Sequence, residues 1–250
     1  MEFAFHPEFW FAVLQIIMID ILLGGDNAVV IALACRKLQP KQRTLGILWG
    51  TAGAIVLRVV LIFFALNLLS IPLLRLIGAV LLLWIGIKLL RPEKNGKHGK
   101  LKSNDRLWGA VKTVIIADFV MSLDNVIAIA GVAEGTGGGH QILLVIFGLL
   151  VSIPIIVWGS QLVVKLMDRL PIFITLGGML LGWIAGEIAV TDPFLVRYAA
   201  DYFAINMTSR TIYYIAAVVG ALLVFLGGKL LVARANNKTA DPSVQDNSSL

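Results

Sequence analysis

The feature that most constrains this chain is a pair of acids inside an apolar stretch, residues 16–33, which reads IIMIDILLGGDNAVVIAL. The stretch contains Asp20, Asp26 and Asn27 and lies within a run long enough to cross a bilayer as a helix. A carboxylate in hydrocarbon is costly, and such groups usually face the interior of a helix bundle, where they mark an ion or proton pathway. The stretch therefore predicts a membrane helix with a functional polar face.

The same polar pattern returns 98 residues later, in residues 115–131, which read IIADFVMSLDNVIAIAG. Asp118, Asp124 and Asn125 stand at the positions of the three earlier polar residues, and six of sixteen aligned positions are identical. Asp and Asn in membrane helices can simply join helices by hydrogen bonds. That role would not be expected to repeat three costly residues in register, so the pattern favours a functional site.

Composition indicates an integral membrane protein. Hydrophobic residues make up 58% of the 250 residues and charged residues only 14%, against about 25% charged in soluble domains. The basic residues behind the net charge of +6 collect in short loops beside apolar runs, which is a topology signal rather than a nucleic-acid surface. The single cysteine, Cys35, cannot form an internal disulfide. No basic n-region precedes the first apolar segment, which we expect to be a retained span.

Seven apolar runs predict an all-α, polytopic membrane protein with seven transmembrane helices. The expected spans are residues 9–35, 44–68, 73–90, 108–133, 141–166, 171–190 and 211–232. They divide the chain into a first three-helix repeat (1–90), a basic cytoplasmic linker (91–107), a second three-helix repeat (108–190), an external loop with the seventh helix (191–232) and a disordered cytoplasmic tail (233–250).

Lys and Arg are distributed unevenly between the two sides of this arrangement. The loops after spans 1, 3 and 5, their flanking residues and the C-terminal end hold 17 of the 21 Lys and Arg residues. The positive-inside rule then predicts a multi-pass protein of the cell membrane, with the N-terminus outside and the C-terminus in the cytoplasm.

The duplication extends beyond the acids. Pro72 and Pro171 are 99 residues apart, and so are Gly78 and Gly177. Because each half has three spans, the second half must cross the membrane upside down relative to the first. Inverted repeats of this kind place substrate sites near the bilayer midplane, where the halves meet. We therefore expect an inverted 3+3 repeat with one extra C-terminal helix.

Two glycines, Gly24 and Gly25, lie between the acids of the first half. On a regular helix Asp26 would point about 120° away from Asp20. Two poor helix formers allow a local break that could turn both carboxylates, and freed backbone carbonyls, toward one cavity. The second half has Ser122 in place of the first glycine. We expect a discontinuous helix in span 1 and a weaker distortion in span 4.

The two motifs together would offer four carboxylates, two amide oxygens and backbone carbonyls, which are hard ligands suited to Ca²⁺, Mg²⁺ or Mn²⁺. All three histidines lie in predicted loops or tails, so a nitrogen-ligated zinc or copper site is not expected. Met121 could add a thioether that favours Mn²⁺, although packing is the commoner role of such a residue. The expected metal ligands are Asp20, Asp26, Asn27, Asp118, Asp124 and Asn125, with Gly24, Met121, Ser122 and Glu187 as additional candidates.

Charge balance bears on the mechanism. Four clustered carboxylates cannot all remain ionised without a cation, because like charges repel and burial disfavours the charged form. Such a site should bind protons when the metal leaves and release them when the metal binds. The motif therefore favours exchange of a divalent metal against protons.

Three further charged residues lie within the predicted spans. Arg58, well inside span 2, is expected to pair with an acid, either as a structural ion pair or as a counter-charge when the metal leaves. Glu187, near the outer end of span 6, is either an external gate acid or an interfacial residue. Lys88 occupies the matching place in span 3 and is expected to extend to the lipid headgroups.

The runs GGDNAVVIA (residues 24–32) and ADFVMSLDNVIAIAG (residues 117–131) resemble the TerC family of integral membrane proteins, in particular its short bacterial YjbE-like members. The resemblance covers nearly the whole chain, and the paired Asp-Asn motifs are its specific part. It implies manganese efflux and membership among the LysE-like transporters, which share the inverted three-plus-three plan. It also implies metal binding by the six Asp and Asn residues of the two motifs.

Other functions stay open on the sequence. A Ca²⁺/H⁺ or general cation exchanger differs only in its cargo, and a non-transporting membrane partner in tellurite resistance or metal supply is a different class. An intramembrane aspartyl protease is the least favoured, because the chain duplicates a complete motif and has GGD where GxGD would be expected. We expect no enzymatic activity, no resident cofactor and no nucleic-acid partner; a homodimer is compatible with the sequence.

Overall fold

The computed structural model describes residues 7–69, 71–91, 103–134, 141–203, 207 and 209–237, and all regular secondary structure in them is helical. The helices are α1 (Pro7–Cys35), α2 (Pro40–Leu69), α3 (Leu74–Leu90), α4 (Ser103–Glu134), α5 (Gln141–Arg169), α6 (Ile172–Val190), α7 (Pro193–Phe203) and α8 (Arg210–Asn237). Most of the predicted basic linker, the loop at 135–140 and the tail from residue 238 lie outside the described residues.

Among the described residues, four helices are long and apolar enough to cross a membrane: α2, α5, α6 and α8. The helix α1 makes a fifth if its two parts, Val13–Ile21 and Gly25–Cys35, are one bent span. The helix α3 matches a predicted span but has only 17 residues. The chain is thus an all-helical integral membrane protein with four or five candidate spans, and the count of seven stays a prediction.

The helix α1 bends where the sequence predicts a discontinuity. Its two parts meet at an angle of 49° across residues 22–24, directly before Gly25. Beyond the bend, the backbone N–H of Asn27 donates a hydrogen bond of 2.8 Å to Asp26 Oδ1. Local bonds of this kind compete with regular helix bonding. The helical backbone nevertheless continues from Pro7 to Cys35, so span 1 is bent rather than interrupted.

The helices pack in sets that correspond between the two halves. The first helix of each half packs on the second helix of the other half, α1 on α5 and α4 on α2. The third helix of each half packs on the first helix of the other half, α3 on α4 and α6 on α1. The corresponding helices of the two halves also contact each other, as α1 with α4, α2 with α5 and α3 with α6. Exchanging the halves leaves this main set of contacts unchanged, as expected for a duplicated three-helix unit.

The helix α8 packs against α6 and α3, and glycines lie at both contacts. A Cβ atom on Gly182 of α6 would lie 2.3 Å from the carbonyl oxygen of Gly220, and one on Gly220 would lie 2.0 Å from the carbonyl oxygen of Gly182. Contacts below 3.0 Å are essentially never seen for real Cβ atoms. The two helices therefore touch backbone to backbone, which small residues permit in membrane helix pairs.

The loop that the sequence predicts after span 6 contains a helix, α7. Its start has strong local signals, since the Asp192 carboxylate accepts the backbone N–H of Phe194 at 2.9 Å and Pro193 occupies the first helical position. Aromatic rings then follow at four-residue spacing, with ring centres 6.0 Å apart for Phe194 and Tyr198 and 4.7 Å apart for Tyr198 and Tyr202. Charged residues interleaved with these rings favour a loop when the sequence is considered alone.

The same Asp192 carboxylate also holds the start of α3. Its two oxygens accept the backbone N–H groups of Leu73 at 3.1 Å and Leu76 at 3.2 Å. Leu73 has a left-handed backbone, with φ of 67°, which is costly for a residue with a side chain. Arg75 adds a bond of 2.9 Å to the carbonyl of Thr191. One buried acid thus joins the start of α3 to the start of α7.

We expect Asp192→Ala to lower the free energy of unfolding by about 3 kcal/mol, because three backbone N–H groups lose their acceptor. The measurement is the temperature at which half of the detergent-solubilised protein loses its monodisperse elution peak. Asp201→Ala removes an exposed acid from α7, the helix that begins directly after Asp192. This variant is the control and should leave that temperature nearly unchanged. Equal losses in both variants would contradict the role assigned to Asp192.

Candidate functional site

The centre of the site is Arg58, a fully buried arginine on α2 with 2% of its surface exposed. Its Nη1 donates to Asp20 Oδ1 on α1, and its Nη2 donates to Asp118 Oδ1 on α4 at 2.8 Å. Both acids are themselves at most 3% exposed. The sequence predicts that Arg58 pairs with one acid; it pairs with two, and they are the equivalent acids of the two repeats.

Two buried serines complete the hydrogen bonding around these charges. Ser122 Oγ accepts from Arg58 Nε at 3.1 Å and donates to Asp118 Oδ2 at 3.0 Å. Ser152 Oγ on α5 donates to Asp20 Oδ2. Each of the four carboxylate oxygens therefore has a donor. We call Asp20, Arg58, Asp118, Ser122 and Ser152 the Arg58 cluster.

Ser152 is a site residue that sequence reasoning missed. Its only signal is a hydroxyl group inside an otherwise apolar run of α5, and such hydroxyls more often bond to their own helix backbone. Ser152 Oγ does lie 2.8 Å from the carbonyl oxygen of Leu149 as well. The hydroxyl has one hydrogen, and a carboxylate is the stronger acceptor.

The Arg58 cluster is charged although it lies in the middle of apolar helices. With both carboxylates ionised, the two acids and one guanidinium would carry one net negative charge, since arginine stays protonated in proteins. Ion pairs in a low-dielectric interior attract strongly, but taking the charges out of water is costly, and removing one partner leaves an uncompensated charge. Membrane proteins retain such groups where they serve ions or substrates.

Two polar side chains near the cluster are buried without a partner. Asn27 is 4% exposed, and neither its Oδ1 nor its Nδ2 has a hydrogen-bond partner in the part of the chain that the structure describes. The same holds for Thr51 Oγ1. A buried amide without a partner is costly, so these atoms are candidates to bind an ion, a ligand or an ordered water.

Asn27 and Thr51 lie on the same side of the Arg58 cluster. Asn27 follows Asp20 by seven residues on α1, and Thr51 precedes Arg58 by seven residues on α2. Since α1 runs toward the loop that joins it to α2, and α2 runs away from it, both residues lie about 10 Å from the cluster on the side of that loop. They extend the polar region from the cluster toward one end of the helices.

Two further acids lie close to this region. Asp26 is half-buried and is within electrostatic range of both Asp118 and Glu187. Glu187 Oε1 accepts a hydrogen bond of 2.6 Å from Trp183 Nε1, one turn earlier on α6. Glu187 is thus oriented by its own helix and contributes negative charge near Asp26.

The other predicted site residues are less informative. Met121 is buried in the main apolar cluster together with Ala117 and Val120, which supports a packing role. Asn125 is half-buried. The side chain of Asp124 and the surroundings of Gly24 lie outside what the structure describes. Within the described residues no three His, Cys, Asp or Glu side chains are grouped closely enough to hold a metal ion, so the four-carboxylate site stays a prediction.

Comparison with known proteins gives a family match over most of the chain. The family model described as "Integral membrane protein TerC family" matches residues 5–227. The uncharacterized membrane protein YjbE of Bacillus subtilis (strain 168) is 43% identical over 195 residues, covering 78% of this chain and 86% of the relative. YkoY of the same organism is 26% identical over 256 residues, covering 95% and 79%. The UPF0053 protein YegH of Escherichia coli (strain K12) is 24% identical over 194 residues, covering 70% and 36%. No solved structure matches the chain significantly.

Proposed function

The chain belongs to the TerC family of integral membrane proteins, and on that premise we propose that it exports a divalent metal cation, with Mn²⁺ as the favoured cargo, in exchange for protons. One observation carries the proposal. Asp20 and Asp118, the equivalent acids of two sequence repeats, meet in a buried polar cluster between apolar helices. Intramembrane acids that meet in this way are typical of ion pathways.

The chemistry of the side chains supports a hard divalent cation as cargo. Carboxylate oxygens from Asp20 and Asp118 are ligands that Mn²⁺, Ca²⁺ and Mg²⁺ accept, and the unpartnered amide oxygen of Asn27, about 10 Å away, is a ligand of the same hard kind. No histidine or cysteine is among these groups. The preference for Mn²⁺ comes from the family resemblance, because the Met121 thioether packs with apolar neighbours.

The corresponding helix contacts of the two halves support an inverted repeat with seven spans. In such a transporter the halves move against each other around a site near the midplane. With the N-terminus outside and the C-terminus in the cytoplasm, the basic α1–α2 loop faces the cytoplasm. The unpartnered polar groups of Asn27 and Thr51 then lie on the cytoplasmic side of the Arg58 cluster, where a cargo ion would enter for export.

Proton exchange follows from the charges. When a divalent cation leaves a group of buried acids, their negative charges need compensation, and protons are the available mobile cations. The half-buried Asp26 lies within electrostatic range of Asp118 and Glu187 and is a candidate to take up such a proton. Metal release and proton uptake would therefore be coupled.

The geometry argues against an aspartyl protease pair. In such enzymes two carboxylates share a proton in direct contact. In the Arg58 cluster a guanidinium lies between Asp20 and Asp118 and bonds to both. That position is where the shared proton and the catalytic water of a protease would be needed.

The test is metal uptake into liposomes that contain the purified protein. Mn²⁺, Ca²⁺, Mg²⁺ and Zn²⁺ are compared with and without an acidic interior, for the wild type, Asp20→Asn and Asp124→Asn. We expect Mn²⁺ uptake that accelerates with the acidic interior and is lost in both variants. Faster Ca²⁺ than Mn²⁺ uptake would indicate a calcium exchanger instead, and rates that ignore the pH gradient would exclude proton exchange. Wild-type protein that moves no metal would favour a non-transporting partner.

A further inference from the structure

We infer that Arg58 is a built-in counter-cation that alternates with the metal cargo in the space between Asp20 and Asp118. The inference rests on the proposed transport function and adds to it a residue outside the repeated motifs. It starts from an asymmetry of the sequence. The two acids are duplicated, but the position 98 residues after Arg58 is Ile156. Two equivalent acids therefore share a single arginine.

The geometry makes Arg58 and a shared cargo ion mutually exclusive. Its two terminal nitrogens bond to one oxygen of each acid, and its Nε bonds to Ser122. The remaining oxygens of the acids accept from Ser122 and Ser152. A divalent ion that binds both acids through the same facing oxygens needs the guanidinium to withdraw, since both are cations and require the same space.

The mutual exclusion of Arg58 and the metal has an energetic role in the transport cycle. Two ionised acids facing each other in a low-dielectric interior repel strongly, and a carrier that has released its cargo must still change conformation with both of them buried. Arginine remains charged at any physiological pH and its planar group bonds two carboxylates at once. Arg58 can therefore neutralise much of this charge in the return step, so that fewer protons are needed for each cycle.

This role separates two kinds of metal movement. Net transport requires the carrier to return without cargo, which is the step that Arg58 supports. Exchange of metal for metal requires no such return, because an ion occupies the site in both directions. Arg58→Gln should therefore lower net Mn²⁺ flux at least about tenfold at neutral pH, while Mn²⁺/Mn²⁺ exchange stays within about twofold of the wild type.

The experiment measures both fluxes on the same liposomes, with radioactive Mn²⁺ outside and either no Mn²⁺ or excess unlabelled Mn²⁺ inside. Rates are normalised to monodisperse protein. Arg43→Gln is the matched control, because it breaks an Arg–Asp pair of the same 2.8 Å length, Arg43 with Asp168, at the partly exposed ends of α2 and α5. Both fluxes should be unchanged in this control.

The affinity for Mn²⁺ provides a second measurement, which would not change if Arg58 had a purely structural role. Because the competing guanidinium of Arg58 is absent, Mn²⁺ titrated into solubilised Arg58→Gln protein should bind about tenfold more tightly than it binds to the wild type. Unchanged or weaker affinity would overturn the inference. So would net flux at the wild-type level, or a loss of net flux and exchange in equal proportion.

If Arg58→Gln yields no monodisperse protein, Arg58→Lys carries the test. Lysine keeps the positive charge but lacks the planar fork that bonds two acids, so thermal stability should fall while the ratio of net flux to exchange stays near the wild type. A ratio tenfold or more below the wild type in folded Arg58→Lys protein would overturn the inference. Wild-type liposomes with neither flux would instead refute the proposed transport function itself.

Discussion

Asp118→Asn protein should fold and yet move Mn²⁺ at least about 100-fold more slowly than the wild type, since even indirect partners of a metal site cost 10- to 100-fold when changed. The fold is expected to survive because two acids share one arginine. Removing one negative charge leaves Arg58 paired with Asp20, and the amide oxygen can still accept from Ser122 or Arg58. What is lost is one of the two buried charges that a divalent cation would bind.

The control for this prediction is Asp168→Asn. Asp168 also pairs with an arginine, at 2.8 Å, but its side chain is half exposed at the end of α5. Exposed pairs contribute little to stability, about 0–1 kcal/mol, so Mn²⁺ flux into liposomes should remain within a factor of two. Equal loss of flux in both variants, or full flux in Asp118→Asn, would contradict the assignment of Asp118 to the transport site.

The second large effect is expected at the contact between α6 and α8. Gly220→Ala should lower the free energy of unfolding by about 3 kcal/mol, because overpacking a close contact costs that much when the neighbour cannot adjust. The added Cβ would lie 2.0 Å from the carbonyl oxygen of Gly182, which belongs to a helix backbone. The two helices would have to separate along their length. Thermal loss of the monodisperse peak in detergent measures the effect.

Gly109→Ala is the matched control, since it makes the same change inside α4. A Cβ atom at Gly109 would meet nothing within 4 Å. Alanine is a better helix former than glycine by about 1 kcal/mol, so this variant should be as stable as the wild type or more so. A Gly220→Ala protein as stable as Gly109→Ala would refute the backbone-to-backbone contact.

The buried acids could be predicted from the sequence because their cost is visible in it. Asp20 and Asp118 interrupt apolar runs at the same place in two repeats, and the structure finds both acids buried and joined. The pairing of Arg58 with an acid follows from the same argument. Its partners could not be predicted, because they depend on α2 packing beside α4 and on α1 lying next to them.

Other parts of the structure carry little sequence signal. The helix α7 is short and mixes aromatic with charged residues, and its start is stabilised by Asp192 through contacts with α3 that are more than 100 residues away in sequence. Ser152 is one hydroxyl in an apolar helix, and only the packing of α5 against α1 brings it to Asp20. Both are consequences of tertiary contacts rather than of local pattern.

The glycine contact between α6 and α8 also bears on how the protein can move. A backbone against a backbone has no rotamers with which to absorb sliding, so these two helices must travel as one rigid body. Glycines at the interfaces of α5 with α1 and of α2 with α4 instead face side chains, those of Ile16 and Val114, rather than a helix backbone. Any rearrangement that opens a route to the buried acids should therefore use those interfaces as its sliding planes, with the α6–α8 unit as the fixed frame.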